Sequence, residues 1–546
     1  MGTCKRTSVP TIIRGPCSPF AIPTLRVRAY GNTRRRVSDK SRSSMARSIV
    51  TAMALSGSLG MAAAASQTCS QVASLYPDIP VDLPLSIDYT TAQTEYWSTS
   101  CGDLKPDCIL TPTSTEQVAQ IVQVLLSNND TFAVKSGGHN PNNYFASVAG
   151  GPLISTKLLN EVVLDNVTET VRVGPGNRWD DVSGALDGTG YTAVGGRIGN
   201  VGVGGYLLGG GLSFMSTEYG WAANNILEFT LVLANATVLT VTEDTYPDIF
   251  LALKGGGNIY GIVTSYVLQA HPQGQVWGGN LWFDANDETT PKILAALRDF
   301  TEHYPDEKAG IILTAERTLG TLLDIWILFV YYNGPTPPVG VFDNFTAIAH
   351  TLDTTKTQSI NELLSGNNWA VVKGSVYTIG TETTPLPGEA SGAEVLGAYY
   401  DTWVNVSNTA ALVPGVIASI AFQPMPKRIA QIARQRGGDL LDLDDDVDRI
   451  VLELDYSFLF NSDYPKIDQT MQDTYNGLKA ARERFQGQGK LDADAYLPLF
   501  MNDGFYRQDY FGRLREEKKE LAASVRDELD PDGLWKKRTG GFKILN

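Results

Sequence analysis

Two periodicities organise the hydrophobic positions of this chain. Val118, Ile121, Val122, Leu125 and Leu126 recur at the three-and-four spacing of one helical face, and Ser114 with Gln117 three residues on is a capping-box start for that helix. Shorter runs surround it. Strands are expected at 132–134, 162–164 and 171–173, a helix over Trp179–Leu186, a hairpin rich in β-branched residues across 226–242, and an apolar strand at 261–268. Near residue 274 the texture changes. Longer helical patterns follow, with extended runs at 325–332 and 450–460 and Pro/Thr-rich loops at 335–338 and 382–388, which together predict a second α+β region. Leu514, Leu521, Val525 and Leu529 then share one helical face, ended by the turn Asp530-Pro531-Asp532-Gly533.

At 546 residues the chain exceeds the usual single domain. Its formal net charge of −15 is unevenly spread: residues 1–65 hold eleven Lys/Arg against one acid, Asp39, leaving 33 basic and 58 acidic residues, a net of −25, in the remainder. That balance argues against a surface that tracks nucleic-acid phosphates, so no nucleic-acid partner is expected. Within the basic segment, Met45-Ala46-Arg47 opens a modestly apolar run that ends in Ala63-Ala64-Ala65 before Ser66, the pattern of a signal peptide with its cleavage site. Residues 1–65 therefore read as an upstream extension plus signal peptide, with Met45 as the effective start and the secretory pathway as destination; an Arg- and Ser-rich organellar transit peptide is the alternative. No later run reaches the ~18 apolar residues of a membrane span. Of five cysteines, Cys4 and Cys17 fall in the leader, and a Cys69–Cys108 or Cys69–Cys101 bridge would suit an oxidising compartment and leave one thiol free. Asn-X-Ser/Thr triplets at Asn129, Asn166, Asn235, Asn344 and Asn405 permit glycosylation.

Glycine carries the chemistry. Glycine, 53 residues in all, is in excess, and it clusters in three loops beside β-rich segments: Lys135-Ser136-Gly137-Gly138-His139-Asn140, the stretch from Gly195-Gly196 to Gly209-Gly210-Gly211, and Lys254-Gly255-Gly256-Gly257-Asn258. Such loops either make tight turns or let backbone N–H groups approach an anion, and three of them together favour a nucleotide-type cofactor. The chain has no GxGxxG, no GxxxxGK[ST] and no GxSxG, so a nicotinamide Rossmann enzyme, a P-loop NTPase and a serine hydrolase are not supported. The four histidines, His139, His271, His303 and His350, lack metal-binding spacing, and no metal site is expected. His139 follows two glycines at a loop tip, where it can contact the cofactor or bond to it.

In their order along the chain these segments resemble the FAD-linked oxidases of the berberine-bridge-enzyme-like group, within the vanillyl-alcohol-oxidase superfamily and in its fungal form. Lys135-Ser136-Gly137-Gly138-His139 is similar to the family's (R/K)SGGH loop. Val173-Gly174-Pro175-Gly176 with Trp179, Gly195-Gly196-Arg197, Val201-Gly202-Val203-Gly204-Gly205 and Gly209-Gly210-Gly211 follow in the family's order. So do Asp248-Ile249-Phe250, Lys254 to Asn258, Gly261-Ile262-Val263-Thr264, Gln423-Pro424, Gly437-Gly438 and Gly540-Gly541-Phe542-Lys543.

The resemblance implies a two-domain α+β fold. A PCMH-type FAD domain would be split between 102–273 and 496–546, with an N-terminal arm at 66–101 and a substrate domain, an antiparallel sheet covered by helices, at 274–495. It implies FAD carried covalently by His139 alone through the flavin 8α-methyl, since Ile198 stands where bicovalent members have cysteine. Lys135, Ser136, Gly137, Gly138, Asn140, Gly195, Gly196, Val201, Gly202, Gly204, Gly205, Gly209, Gly210, Ile262 and Val263 would surround the cofactor, with Val201 at the oxygen-gatekeeper place. The tail Leu499-Phe500-Met501-Asn502-Asp503 keeps the Asn of the family's YxNY but puts Phe500 and Asp503 at the tyrosine places, and Tyr206 replaces a common histidine. A tyrosine base therefore does not carry over, and the candidate catalytic residues are Gln423, Asn502, Asp503 and Tyr496. The expected activity is that of a secreted, monomeric FAD oxidase of fungal secondary metabolism. It would pass hydride from an alcohol, amine or allylic C–H of a small molecule to flavin N5, with O2 reoxidising the flavin and leaving as H2O2. A carbohydrate oxidase of the same family and a non-redox secreted binding module are the alternatives.

Overall fold

The computed structural model describes residues 66–318 and 323–544; the leader, with its signal-peptide reading, lies outside them. Chain pairing begins with a small sheet of β1 (Val81–Asp82), β2 (Cys108–Leu110), β3 (Ala133–Lys135) and β4 (Pro152–Ser155), in the order β1-β2-β4-β3 with β2, β4 and β3 parallel. Parallel neighbours need a crossover, and helix Thr115–Leu126 supplies the one between β2 and β3. Ser114 Oγ accepts from the Gln117 N–H at 3.3 Å as its capping pattern predicts, but the Gln117 side chain reaches one residue further back, to the Thr113 N–H at 2.7 Å. Val124 takes the buried place expected for Leu126, which is exposed.

The second sheet holds β5 (Val162–Asp165), β6 (Thr170–Val173), β7 (Tyr191–Ala193), β8 (Ile226–Val232), β9 (Val238–Val241) and β10 (Ile262–Pro272). Its order is β5-β6-β10-β8-β9, with β7 also on β10. Helix Trp179–Leu186 lies where its pattern predicts.

The third sheet is antiparallel throughout and belongs to the second domain. Its strands are β11 (Val276–Asp284), β12 (Ala309–Thr318), β13 (Leu323–Tyr332), β14 (Leu352–Asp353), β15 (Lys356–Gln358), β16 (Val376–Pro385), β17 (Ile417–Met425) and β18 (Arg449–Phe458). The order is β14-β11-β13-β12-β17-β18-β16, with β15 beside β11. The expected loop at 382–388 is therefore strand as far as Pro385. β16 pairs on one side only, with β18, and proline is tolerated at the last position of such an edge. Alternation sorts the side chains of this sheet: Ile450, Leu452, Leu454, Tyr456 and Phe458 of β18 pack with Leu313, Ile420 and Phe422 beneath helices Thr289–His303, Glu389–Ser407 and Tyr464–Gly487. The intervening residues face the first domain.

The chain then returns to the domain of the glycine loops. Leu514 precedes helix Glu516–Leu529 rather than opening it, yet is buried against the same core. Asp530 caps the last helix, Leu534–Arg538, by accepting from the Leu534 and Trp535 N–H groups at 2.6 and 2.8 Å. Phe132 N donates to Arg538 O at 2.9 Å and Asn258 Nδ2 to Gly540 O at 3.1 Å, which ties the C-terminal residues to the glycine-loop domain. At the other end a Cys69–Cys108 disulfide fixes helix Gln67–Leu75 to β2, and Cys101 is free and buried.

Candidate active site

β3 ends at Lys135 and releases the chain into Ser136-Gly137-Gly138-His139. The loop is held from three sides. Ser136 Oγ donates to Pro175 O at 2.6 Å and accepts from Gly204 N at 3.2 Å, while Arg178 Nη2 donates to Gly137 O at 2.7 Å. A Cβ on Gly137 would lie 2.5 Å from Gly202 Cα, so the two loops meet backbone to backbone. Gly138 turns the chain at φ +69°, in the left-handed region, and so aims His139 inward. Between these loops, the C-terminal residues Trp535 to Phe542 and the third sheet lies a cavity of about 310 Å³.

Twelve of the residues expected at the cofactor line that cavity: Ser136, Gly137, Gly138, His139, Asn140, Gly196, Val201, Gly202, Gly204, Gly205, Ile262 and Val263. Four others serve packing. Lys135 turns away, its Nζ donating to Ala92 O at 2.5 Å and lying 4.0 Å from the Tyr96 ring centre, where burial lowers the ammonium to about 7. A Cβ on Gly195 would meet the Trp179 ring at 2.2 Å, one on Gly209 would meet the Asn502 amide at 2.6 Å, and Gly210 backs onto Leu441. The walls suit a dinucleotide: glycine backbone lets a ligand come close, and a Cβ at Gly205 would meet nothing within 4 Å.

His139 stacks on Trp97 with ring centres 4.6 Å apart and planes 8° off parallel. Burial, and then the charge of Arg178, hold its imidazole down to about 3, so at working pH it is neutral and keeps a free lone pair.

The candidate catalytic residues divide. Gln423 and Asp503 come together: Gln423 Nε2 donates to Asp503 Oδ2 at 2.9 Å and to Glu453 Oε2 at 3.0 Å. Asn502 lines the cavity but acts as a tie, accepting from Gly211 N and donating to Tyr206 O, both at 3.1 Å. Tyr496 lies outside. Its hydroxyl accepts from Arg515 N at 3.2 Å and its carbonyl from Arg449 Nε at 3.0 Å, and the Arg515 guanidinium covers its ring. Tyr206 lines the cavity with its hydroxyl spent on Leu212 O at 3.0 Å, and burial raises its phenol far above the usual range.

Sequence reasoning missed Glu453 and Asp455. The signal was there: two acids at i and i+2 in the apolar run Val451-Leu452-Glu453-Leu454-Asp455-Tyr456 must share one face of a strand. Register sets Glu453 in a row with Thr314, Ala421 and Thr381, and Asp455 in a row with Glu316, Ser419 and Ile379. Burial, then the charge of Asp455, pushes Glu453 up to about 8. Asp503 is raised well above the carboxylate range by burial, then by Glu453, and Asp455 by burial, then by Asp503; Arg197 in the cavity wall pulls Glu453 and Asp503 the other way.

Residues 106–242 match an FAD-binding domain model. Across 469 residues, 85% of this chain and 93% of that protein, the chain is 39% identical to an FAD-linked oxidoreductase of Arthroderma benhamiae whose activity is uncharacterised. This chain belongs to the FAD-linked oxidoreductases. The oxidoreductase is also 31% identical over 470 residues to an FAD-dependent monooxygenase of Aspergillus calidoustus, covering 84% of this chain and 86% of that one. Its fold is that of 6-hydroxy-D-nicotine oxidase from Arthrobacter nicotinovorans, with a TM-score of 0.69 at 21% identity over 86% of this chain and 98% of that one. It is likewise that of a glucooligosaccharide oxidase from Acremonium strictum, with a TM-score of 0.70 at 17% identity over 88% and 98% of the two chains. The two-domain fold is therefore one shared with these oxidases and with berberine bridge enzyme, and FAD is the cofactor.

Proposed function

We propose that this oxidoreductase is a secreted oxidase of a small organic molecule, acting on an alcohol, amine or allylic C–H, with FAD carried on His139 and O2 consumed to H2O2. The observation that carries this reading is one cavity lined by both a neutral, loop-tip histidine and a buried carboxyl pair. Bound FAD supplies the two-electron acceptor. The chain supplies the rest. Ser136, Arg178 and Gly202 hold the glycine loop in shape, so that His139 is presented from a fixed backbone. Asp503 and Glu453, bridged by the Gln423 amide, receive the proton that the substrate O–H or N–H gives up, a task suited to carboxyl groups raised toward neutrality. Apolar Ile312, Ile379 and Phe500 complete the wall and exclude water from that proton.

Acid precipitation tests the attachment. Wild-type protein should give a yellow pellet and His139→Ala a colourless one with the flavin in the supernatant; a colourless wild-type pellet refutes the link. The Aspergillus calidoustus relative's name raises oxygen insertion as a second reading. Turnover under ¹⁸O2 separates the two: one H2O2 per product without label in the product supports the oxidase, and labelled product supports the monooxygenase.

Secretion rests on the leader pattern, on the disulfide and on exposure of all five sequon asparagines. A mature N-terminus near Ser66 would support it, and retention of the leader would end it.

A further inference from the structure

Neither ring nitrogen of His139 has a hydrogen-bond partner among the described residues, so packing alone sets the plane of this imidazole. The packing is Trp97, near-parallel at 4.6 Å. Trp97 is itself held by backbone and by stacking. Its backbone N–H donates to Gly138 O at 3.0 Å, the peptide next to the histidine, and its ring stacks on Tyr377 at 4.5 Å. Val371 and Ile379 pack in the same cluster, with Ile198 against it. The neighbouring residues fasten to β16: Tyr377 N donates to Ser98 Oγ at 3.0 Å and Thr99 N to Ser375 O at 2.9 Å. The arm thus bridges the histidine loop and the substrate sheet, with one flat indole lying against the imidazole.

We propose that Trp97 is the positioning residue for covalent flavin attachment, confining the His139 ring to the plane in which its nitrogen lone pair meets the flavin methyl. The proposal rests on the reading that His139 carries FAD. Attachment forms one N–C bond and breaks one C–H bond of the flavin 8α-methyl and one imidazole N–H. The two electrons released enter the flavin, and O2 takes them up with the two protons to leave as H2O2. A side chain free to turn about both torsions presents its lone pair in many directions, whereas a stacked ring presents it in one, and orientation of this kind governs the rate of an intramolecular bond formation.

The test follows covalent flavin rather than turnover. Full-length protein made in riboflavin-limited cells, and so purified without flavin, is incubated with FAD in air, and flavin in the acid-precipitated pellet is measured against time beside flavin absorbance of the native protein. Trp97→Leu should slow pellet labelling at least tenfold while the native protein still takes up FAD. Trp97→Met, which fills the space without a flat face, should do the same and replaces leucine if that variant does not fold. Trp97→Phe, which restores a ring, should stay within about threefold of wild type. Wild-type rates in the leucine or methionine variant overturn the proposal, and so does a phenylalanine variant as slow as they are, since that pattern marks a purely structural contact. An unlabelled wild-type pellet instead overturns the His139 reading beneath it.

Discussion

Glu453 is a carboxyl group pushed to about 8, from an ordinary value of 4.5, by burial and by Asp455 two residues along its strand. Between those two values the folded chain keeps a proton that the unfolded chain has lost, so this group's contribution to stability falls as pH rises across that window. Glu453→Gln should therefore melt with wild type near pH 4, where both states are protonated. At pH 9 it should melt about 2–5 °C above wild type, as read by calorimetry. The same group should cost activity when removed. Asp503→Asn and Glu453→Gln should each lower kcat by about 10²–10⁴-fold, the usual worth of a general base, with the flavin still in the acid pellet. Wild-type kcat should climb with pH toward about 8 as Glu453 ionises, and Glu453→Gln should lose that limb. Asp503 and Gln423 could be named from the sequence because motifs flank them. Glu453 sits in no motif, and only strand register brings it beside them.

At the level of elements, the glycine loops work by contact between backbones. Gly137→Ala would drive a methyl against Gly202 Cα, 2.5 Å away, where neither partner has a side chain to turn aside. It should fold with at least tenfold less bound FAD, read as the ratio of flavin to protein absorbance, whereas Gly205→Ala, whose Cβ meets no protein atom within 4 Å, should keep the melting temperature of wild-type protein prepared without flavin. Local patterns placed helix Trp179–Leu186 and the 226–242 hairpin well, because cap, period and turn lie within the segment itself. They did less well where the decision is tertiary. Gly209 and Gly210 belong to a motif that suggests a cofactor, yet their neighbours are Asn502 and Leu441, which arrive from far along the chain. Tyr496 is a candidate by its polar side chain, but Arg449 and Arg515 claim it. Proline at 385 read as a loop because one sequence does not say which strand will be an edge.

Over the whole molecule, two distant attachments shape the FAD domain: the C-terminal return at Arg538 and Gly540, and the Cys69–Cys108 bridge. The bridge spans 39 residues, and closing a loop of that size is worth about 4 kcal/mol in the chain-entropy model. Cys69→Ser or Cys108→Ser should lower the urea midpoint accordingly, while reductant has no further effect on either. Both pairings open to Cys69 were compatible with spacing, and the choice of Cys108 depends on helix Gln67–Leu75 packing over β2, a contact that no local pattern encodes. No helix among the described residues is long and apolar enough to cross a membrane. The third sheet has a different consequence. Leu313, Ile420 and Leu452 pack in the core beneath the helices, while one step along the same strands Ile312 and Ala421 pack in the core of the other face and Glu453 lines the cavity. A mutant library confined to Ile312 and Ile379, which line the cavity from this sheet, would therefore reshape the pocket while leaving the core beneath the helices untouched. Stability and cavity shape are thus written in alternate letters of the same strands, so one can be altered while the other is kept.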